Sequence, residues 1–271
     1  MIRSFLMLLL ALGQITFWTG PVWAAEIGLS ERLDMLIASY PDVVSRVDGN
    51  RLILKDGGAA IVIDDGRIKS HADALVDADV EDMLRQTYPH GPCETRPAVD
   101  FDPGRVRSQD LMMRLYGGTR RQVADRLTTI DWFGNRLQVT TAFGVDKALI
   151  AVRDELKALP ESLRRPALKS AGTFNWRNIA GTDRLSVHSF GAAIDLDTSY
   201  ADYWRWAGGK PGKVPVYKNR MPLEIVEIFE RHGFIWGGRW YHYDTMHFEY
   251  RPEMIAISNA AAADACVAGV Q

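Results

Sequence analysis

The sequence predicts an α+β fold: a small, mainly antiparallel sheet flanked by helices, with a small N-terminal accessory unit. Three observations carry this expectation. Strand-like and helix-like runs are mixed along the chain without the strand–helix–strand rhythm that builds a parallel sheet. Neither a G-x-G-x-x-G nor a Walker loop occurs in the 271 residues, so no nucleotide cofactor is expected. The composition is that of an ordinary globular chain, 47% hydrophobic and 24% charged, with a formal net charge of −2. That balance offers no basic footprint for nucleic acid. Eight tryptophans are many for this length, and five fall between Trp176 and Trp240; a core explains such clustering as well as a substrate groove does.

The first segment reads as a processing signal. Arg3 supplies a positive start, Phe5 to Leu12 an apolar stretch, and Gly20-Pro21 precedes a small-residue cleavage site at Val22-Trp23-Ala24. Residues 1–24 are therefore predicted to be a signal peptide. Its apolar run, interrupted by Gln14, is too short to span a bilayer comfortably. No other segment is a membrane-span candidate, so the expectation is a periplasmic or secreted protein with no transmembrane segment once the signal is removed. Cys93 and Cys266 are the only cysteines, and an oxidising compartment favours their pairing as a disulfide. The absence of C-x-x-C argues against a thiolate metal site.

Residues 25–97 form the predicted accessory region of helix, hairpin and helix. Ser30 opens a helix whose Leu33, Leu36 and Ile37 recur at helical spacing. Arg51–Leu54 and Ala59–Ile63 are strand-like runs around Lys55-Asp56-Gly57-Gly58, a hairpin signal. Val80–Tyr88 reads as a second helix, and proline and glycine mark Pro89–Gly104 as a linker.

Residues 98–256 form the predicted main domain, with 257–271 as a tail. Helices are expected over Ser108–Tyr116 and Val145–Leu159, the latter with Ala148, Leu149, Val152, Leu156 and Leu159 as one apolar stripe. A further helix runs from Pro222 to Gly233, with His232 against its carboxyl dipole. Strands are expected at Gln138–Thr141, Thr173–Ile179, Ala192–Leu196 and Tyr243–Tyr250.

Two segments concentrate chemistry: Ser186 to Asp195, and Trp236 to Glu249. In a strand, alternate side chains share a face, so Asp195 and His247 meet if their strands are neighbours, and His188 can fold back across Gly191. Two imidazoles and one carboxylate leave zinc an open fourth position, the composition of a catalytic site. Asp244, three residues before His247, is the candidate general base, although strict alternation puts it off the metal face unless the chain bends there. On residues alone, the same histidines also read as hydrogen-bonded core groups and Asp195 as a strand cap. His71 and His90 read as surface or loop residues, His232 as a helix terminator and His242 as ambiguous. Asp197 and Glu249 read as surface groups or as groups orienting an imidazole. A serine nucleophile is disfavoured, because neither G-x-S-x-G nor S-x-x-K accompanies Ser186 and His188.

Ser186-x-His188-x-x-Gly191-x-Ala193-x-Asp195, followed by Asp244-x-x-His247-Phe248-Glu249, resembles the signature of the zinc D-alanyl-D-alanine carboxypeptidases and dipeptidases. That family includes VanY-type carboxypeptidases and phage L-alanyl-D-glutamate endopeptidases. The resemblance covers roughly Val139 to Pro252. It implies one zinc ion held by His188, Asp195 and His247, with Asp244 as base, Ser186 hydrogen-bonded to substrate, and peptidoglycan peptides as substrates. Many relatives carry an upstream Gly-Tyr-Arg whose arginine polarises the scissile carbonyl or holds the substrate carboxylate. The corresponding strand-to-helix region here is Thr140-Thr141-Ala142-Phe143, which lacks that arginine. Arg177 is therefore expected in that role, with Arg184 as the second candidate, and Trp240 as a further substrate contact. The fold and zinc site also resemble the Hedgehog signalling domain, so the alternative is a non-catalytic, zinc-containing cell-wall binding or scaffold protein.

Overall fold

The computed structural model describes residues 27–94, 96–179, 182–263 and 266. The predicted signal peptide and most of the tail after residue 263 lie outside them. An α+β architecture with antiparallel pairing throughout is observed. Three sheets are present among the described residues. The first is β1 (Val44–Asp48), β2 (Arg51–Leu54) and β3 (Ile61–Val62). The second is the hairpin of β4 (Leu127–Trp132) and β5 (Asn135–Thr140). The third has the order β6 (Ser170–Gly172), β7 (Ala193–Leu196), β9 (His247–Tyr250), β8 (Phe234–Trp236).

This last sheet carries the site. The inward faces of β7 and β9, with Ile194 and Phe248, pack on the helix Leu223–Arg231, where the Phe229 and Phe248 rings stack 4.0 Å apart. Helix Val145–Leu156 buries Leu149, Val152 and Leu156 of the expected stripe together with Val145, leaves Ala148 and Leu159 partly buried, and ends one turn earlier than predicted. Ser108 caps the helix Gln109–Tyr116 through a bond from the Leu111 N–H, and His232 terminates the helix that follows Pro222.

Several elements differ from the sequence expectation. The first helix spans Leu29–Ser39 with Gly28, not Ser30, at its cap. β1 was not foreseen; it pairs with β2 across the Gly49-Asn50 turn. The 80–88 helix stops at Leu84. Thr173–Ile179 is irregular, because its backbone serves the 186–190 turn: Asn175 N–H donates to the His188 carbonyl at 3.0 Å and Arg177 N–H to the Ser189 hydroxyl at 2.9 Å. The last strand begins at His247 rather than Tyr243.

One apolar core runs from Leu33 and Leu36 of the first helix to Phe248 and Ile257. The Tyr40 hydroxyl donates to Glu253 Oε2 at 2.6 Å, tying that helix to the last one, Pro252–Ala260. Cys93 and Cys266 form a disulfide across 173 positions. Among the described residues no helix is long and apolar enough to cross a membrane. Because cross-linking distant positions restricts the unfolded chain, replacing both cysteines by serine is expected to remove about 2–4 kcal/mol and lower Tm by roughly 5–15 °C. Calorimetry of the two forms checks this; coincident melting curves refute it.

Candidate metal centre

Asp195 on β7 and His247 at the start of β9 are direct register partners. His188 lies on the tight turn Val187–Phe190, which Ser186 caps and Gly191 ends with φ +66°. Gly191 is needed there twice over. Its φ is one that L side chains resist, and a Cβ would stand 2.8 Å from Leu127 and 3.0 Å from the Thr140 nitrogen. The turn thereby swings His188 over the strand pair. Its Nε2 comes 3.2 Å from Asp195 Oδ2 and 3.2 Å from His247 Nδ1, while His247 Nδ1 is 2.9 Å from Asp195 Oδ1.

The outer faces of the imidazoles fix which nitrogens are free. His188 Nδ1 donates to the Thr173 carbonyl at 2.7 Å, and His247 Nε2 donates to Glu249 Oε2 at 3.1 Å. Each ring thus turns its other nitrogen toward one point, beside a carboxylate. Four ligands around zinc at about 2.0 Å stand about 3.3 Å apart. The three separations here fall close to that edge length, and the outward bonds of both imidazoles fix the ring orientations that aim the inward nitrogens at that point.

The charges around this point are uneven. Burial alone would raise Asp195, but His188 and His247 hold it well below the usual carboxylate range. Burial would lower His247, yet its bonds to Asp195 and Glu249 push it up to about 10. Glu249 is fully buried. Desolvation opposes its ionisation, and Arg107, the His247 bond and Arg251 bring it down to about 2. Arg107 lies 3.4 Å from Glu249 Oε2, and Arg251 donates to Oε1 at 3.1 Å.

Asp244 meets the same cavity, of about 730 Å³, that exposes His188, Asp195 and His247. The bend that alternation demanded is present: the His247 N–H donates to the Asp244 carbonyl at 3.2 Å, closing a turn just before β9. Asp244 Oδ1 is buried without a hydrogen-bond partner. Burial raises its pKa to about 6, against the pull of His247.

The remaining candidates occupy different surroundings. Ser186 lines the cavity, but its hydroxyl also accepts the His188 N–H at 3.4 Å. Trp240 forms a wall, its ring 5.6 Å from that of His247 and its Nε1 donating to the Pro103 carbonyl at 2.6 Å. Arg177 lines the cavity and is exposed, on an irregular segment instead of the expected strand. Arg184 is buried; it donates to the carbonyls of Leu75 and Arg105, and burial with nearby Arg107 and Arg105 pulls it down to about 9. Asp197 caps the Thr198–Tyr200 turn through Ser199, and His232 pairs with Glu155. His90 bonds the Ser258 hydroxyl.

Two cavity arginines escaped the sequence reading. Arg105 reaches over Trp240, 5.8 Å from its ring centroid, and Arg107 meets Glu249. Both lie in Gly104-Arg105-Val106-Arg107-Ser108, a paired-arginine run opening a helix, which was a readable signal at a position other than Thr140–Phe143. The second omission is His71, read as a surface residue. It lines the cavity and is bonded at 2.8 Å to Asp102, which is fully buried in the segment read as a linker. His242 joins the same carboxylate at 2.6 Å.

A cluster of ligand-type side chains lies in an open cavity over an antiparallel sheet, with an acid beside it that has one buried, unpartnered oxygen. Residues 180–250, about a quarter of the chain, match the family model described as D-alanyl-D-alanine carboxypeptidase. No curated protein and no solved structure matches it.

Glu249 faces two buried guanidiniums and one imidazole. Removing one partner of a buried ion pair leaves charge uncompensated, so Glu249→Ala is expected to cost about 3–5 kcal/mol. Urea unfolding followed by tryptophan fluorescence measures it; a loss under 1 kcal/mol contradicts this account.

Proposed function

We propose that the protein is a zinc-dependent peptidase that hydrolyses peptide bonds in peptidoglycan stem peptides, in the periplasm or outside the cell. The observation that carries this reading is the buried, unpartnered oxygen of Asp244 beside three ligand atoms at zinc-like spacing. His188, Asp195 and His247 would hold the ion, with the Thr173 carbonyl and Glu249 fixing the two imidazoles. Zinc, when bound, supplies Lewis acidity to the scissile carbonyl and acidifies water.

Asp244 takes the proton of the attacking water and passes it to the leaving amine. A carboxylate raised to about 6 is suited to both transfers near neutrality. Among the cavity arginines, exposed Arg177 and partly exposed Arg105 supply positive charge toward the developing oxyanion, whereas Arg184 is held by backbone carbonyls. Ser186 and Trp240 meet the peptide along the cavity wall. The Cys93–Cys266 disulfide supports export to an oxidising compartment. A non-catalytic binding protein has no use for a desolvated, unpaired acid at this position.

Asp244→Ala is expected to retain one zinc per chain while turnover falls about 10²–10⁴-fold; His188→Ala or His247→Ala is expected to lose the metal. Metal analysis and mass spectrometry of muropeptide digests, with and without chelator, read both. Free D-alanine among the products identifies carboxypeptidase action, and cleavage after L-alanine identifies endopeptidase action. Intact muropeptides from a zinc-loaded protein would refute the hydrolase and leave a binding protein.

A further inference from the structure

The family match begins at residue 180, yet one wall of the cavity comes from far upstream. His71, Ala72, Leu75 and Val76, on the helix His71–Val76, line the same space as the metal cluster. Two independent attachments hold this helix to the rest of the cavity.

The first is Asp102. Its Oδ2 accepts from His71 Nε2 at 2.8 Å and His242 Nδ1 at 2.6 Å, and its Oδ1 accepts the His242 N–H at 2.9 Å. The two rings lie nearly parallel, 6.2 Å between centroids. This trio has the same residue types as the metal centre, but its protons are placed differently. Gly212 N–H donates to His242 Nε2 at 3.2 Å, which leaves the His242 proton on Nδ1, pointed at Asp102. Here the imidazole offers hydrogen where a metal requires a lone pair. The trio is thus a fastener joining the 71–76 helix, the 98–108 segment and the turn before β9.

The second attachment is Arg184. Its guanidinium is buried and donates to the carbonyl of Leu75, near the end of the same helix, and to that of Arg105 at 3.3 Å. A buried cation held on carbonyls is costly to desolvate, so a geometry that keeps it is a specific one. Between the attachments the helix turns apolar groups to the opening: Leu75 is half-buried, and Val76 is 66% exposed. Apolar atoms left open inside a catalytic cavity gain from contact with substrate.

We propose that the helix His71–Val76 is the substrate-selecting wall of the cleft. Leu75 and Val76 bear on an apolar side chain of the substrate in the cleft and limit its size, and His71 is a positioning residue that holds the wall through Asp102. This rests on the peptidase reading and names what that site selects.

The test uses full-length, zinc-loaded protein and two stem peptides, one ending in D-Ala-D-Ala and the other with both terminal residues replaced by D-leucine. Leu75→Ala/Val76→Ala is expected to raise the kcat/KM ratio of the D-leucine to the D-alanine peptide about tenfold, a normal sensitivity for a methylene-sized pocket change. His71→Ala is expected to raise KM for the D-alanine peptide at least fivefold with kcat within twofold, and His71→Gln, which keeps a donor, to restore most of it. An unchanged ratio with unchanged KM overturns the wall. Two metal ions in the parent, falling to one in His71→Ala, overturn the fastener. Should the parent bind the D-alanine peptide by calorimetry without cutting it, only the hydrolase reading fails, and the wall is judged by whether the same variants shift Kd. Should it neither bind nor cut, both fall.

Discussion

The pairing of β7 with β9 is the constraint on which the rest of this molecule depends. Three residue pairs, from Ala193 opposite Glu249 to Asp195 opposite His247, set the metal-type cluster before any side chain chooses a rotamer. A strand slipped by one position presents its other face. Ile194 and Phe248 would then enter the polar cavity, while Asp195 and His247 would be driven into the core beneath. The stacked contact of Phe248 with Phe229 and the burial of Ile194 oppose that slip. Hydrophobic packing on one side of the sheet thereby fixes the chemistry on the other.

Three acids sit within a few residues of this ladder and are held in different states by their neighbours. Asp195 faces two imidazoles and stays ionised in spite of burial. Glu249 is deeper still and stays ionised because Arg107 and Arg251 flank it. Asp244 has no such partner on one oxygen, and desolvation dominates. The same functional group is therefore held in three different electrostatic settings, according to how many cations and donors face it. The turn ahead of β9 is what separates the last setting from the first two, since continued strand geometry would have pointed Asp244 elsewhere.

Much of this was legible in the chain. The residues of the cluster were visible because strand alternation is a local rule that needs no knowledge of the partner, and because Ser186–Asp195 and Asp244–Glu249 resemble a family signature. The long amphipathic helices were visible for the same reason. Other features were not, and the reasons are physical. Thr173–Ile179 has strand-like residues, yet its backbone groups are spent on the 186–190 turn, a long-range demand that no window of sequence contains. The stretch around Asp102 is rich in proline and glycine and so reads as exposed, although its carboxylate is fully buried. His71 looked ordinary because its partners lie 31 and 171 positions away. Arg105 and Arg107 are not legible from the signature segments because they lie about eighty positions upstream of Ser186 and reach the cavity only through the fold.

Buried charge also extends from the cavity in one unbroken line. His247 bonds Glu249, Glu249 bonds Arg251, Arg251 Nε donates to Glu253 Oε1 at 2.5 Å, and Glu253 receives the Tyr40 hydroxyl. Each link neutralises its neighbour, so the series closes only when the phenol from the chain's early helix is in place. The early helix is thus a structural creditor of an imidazole more than two hundred positions later, and modular inheritance of the two parts is constrained accordingly. A homologue that exchanges its leading segment has to bring a new hydrogen-bond donor for Glu253, or rebuild the whole series back to His247.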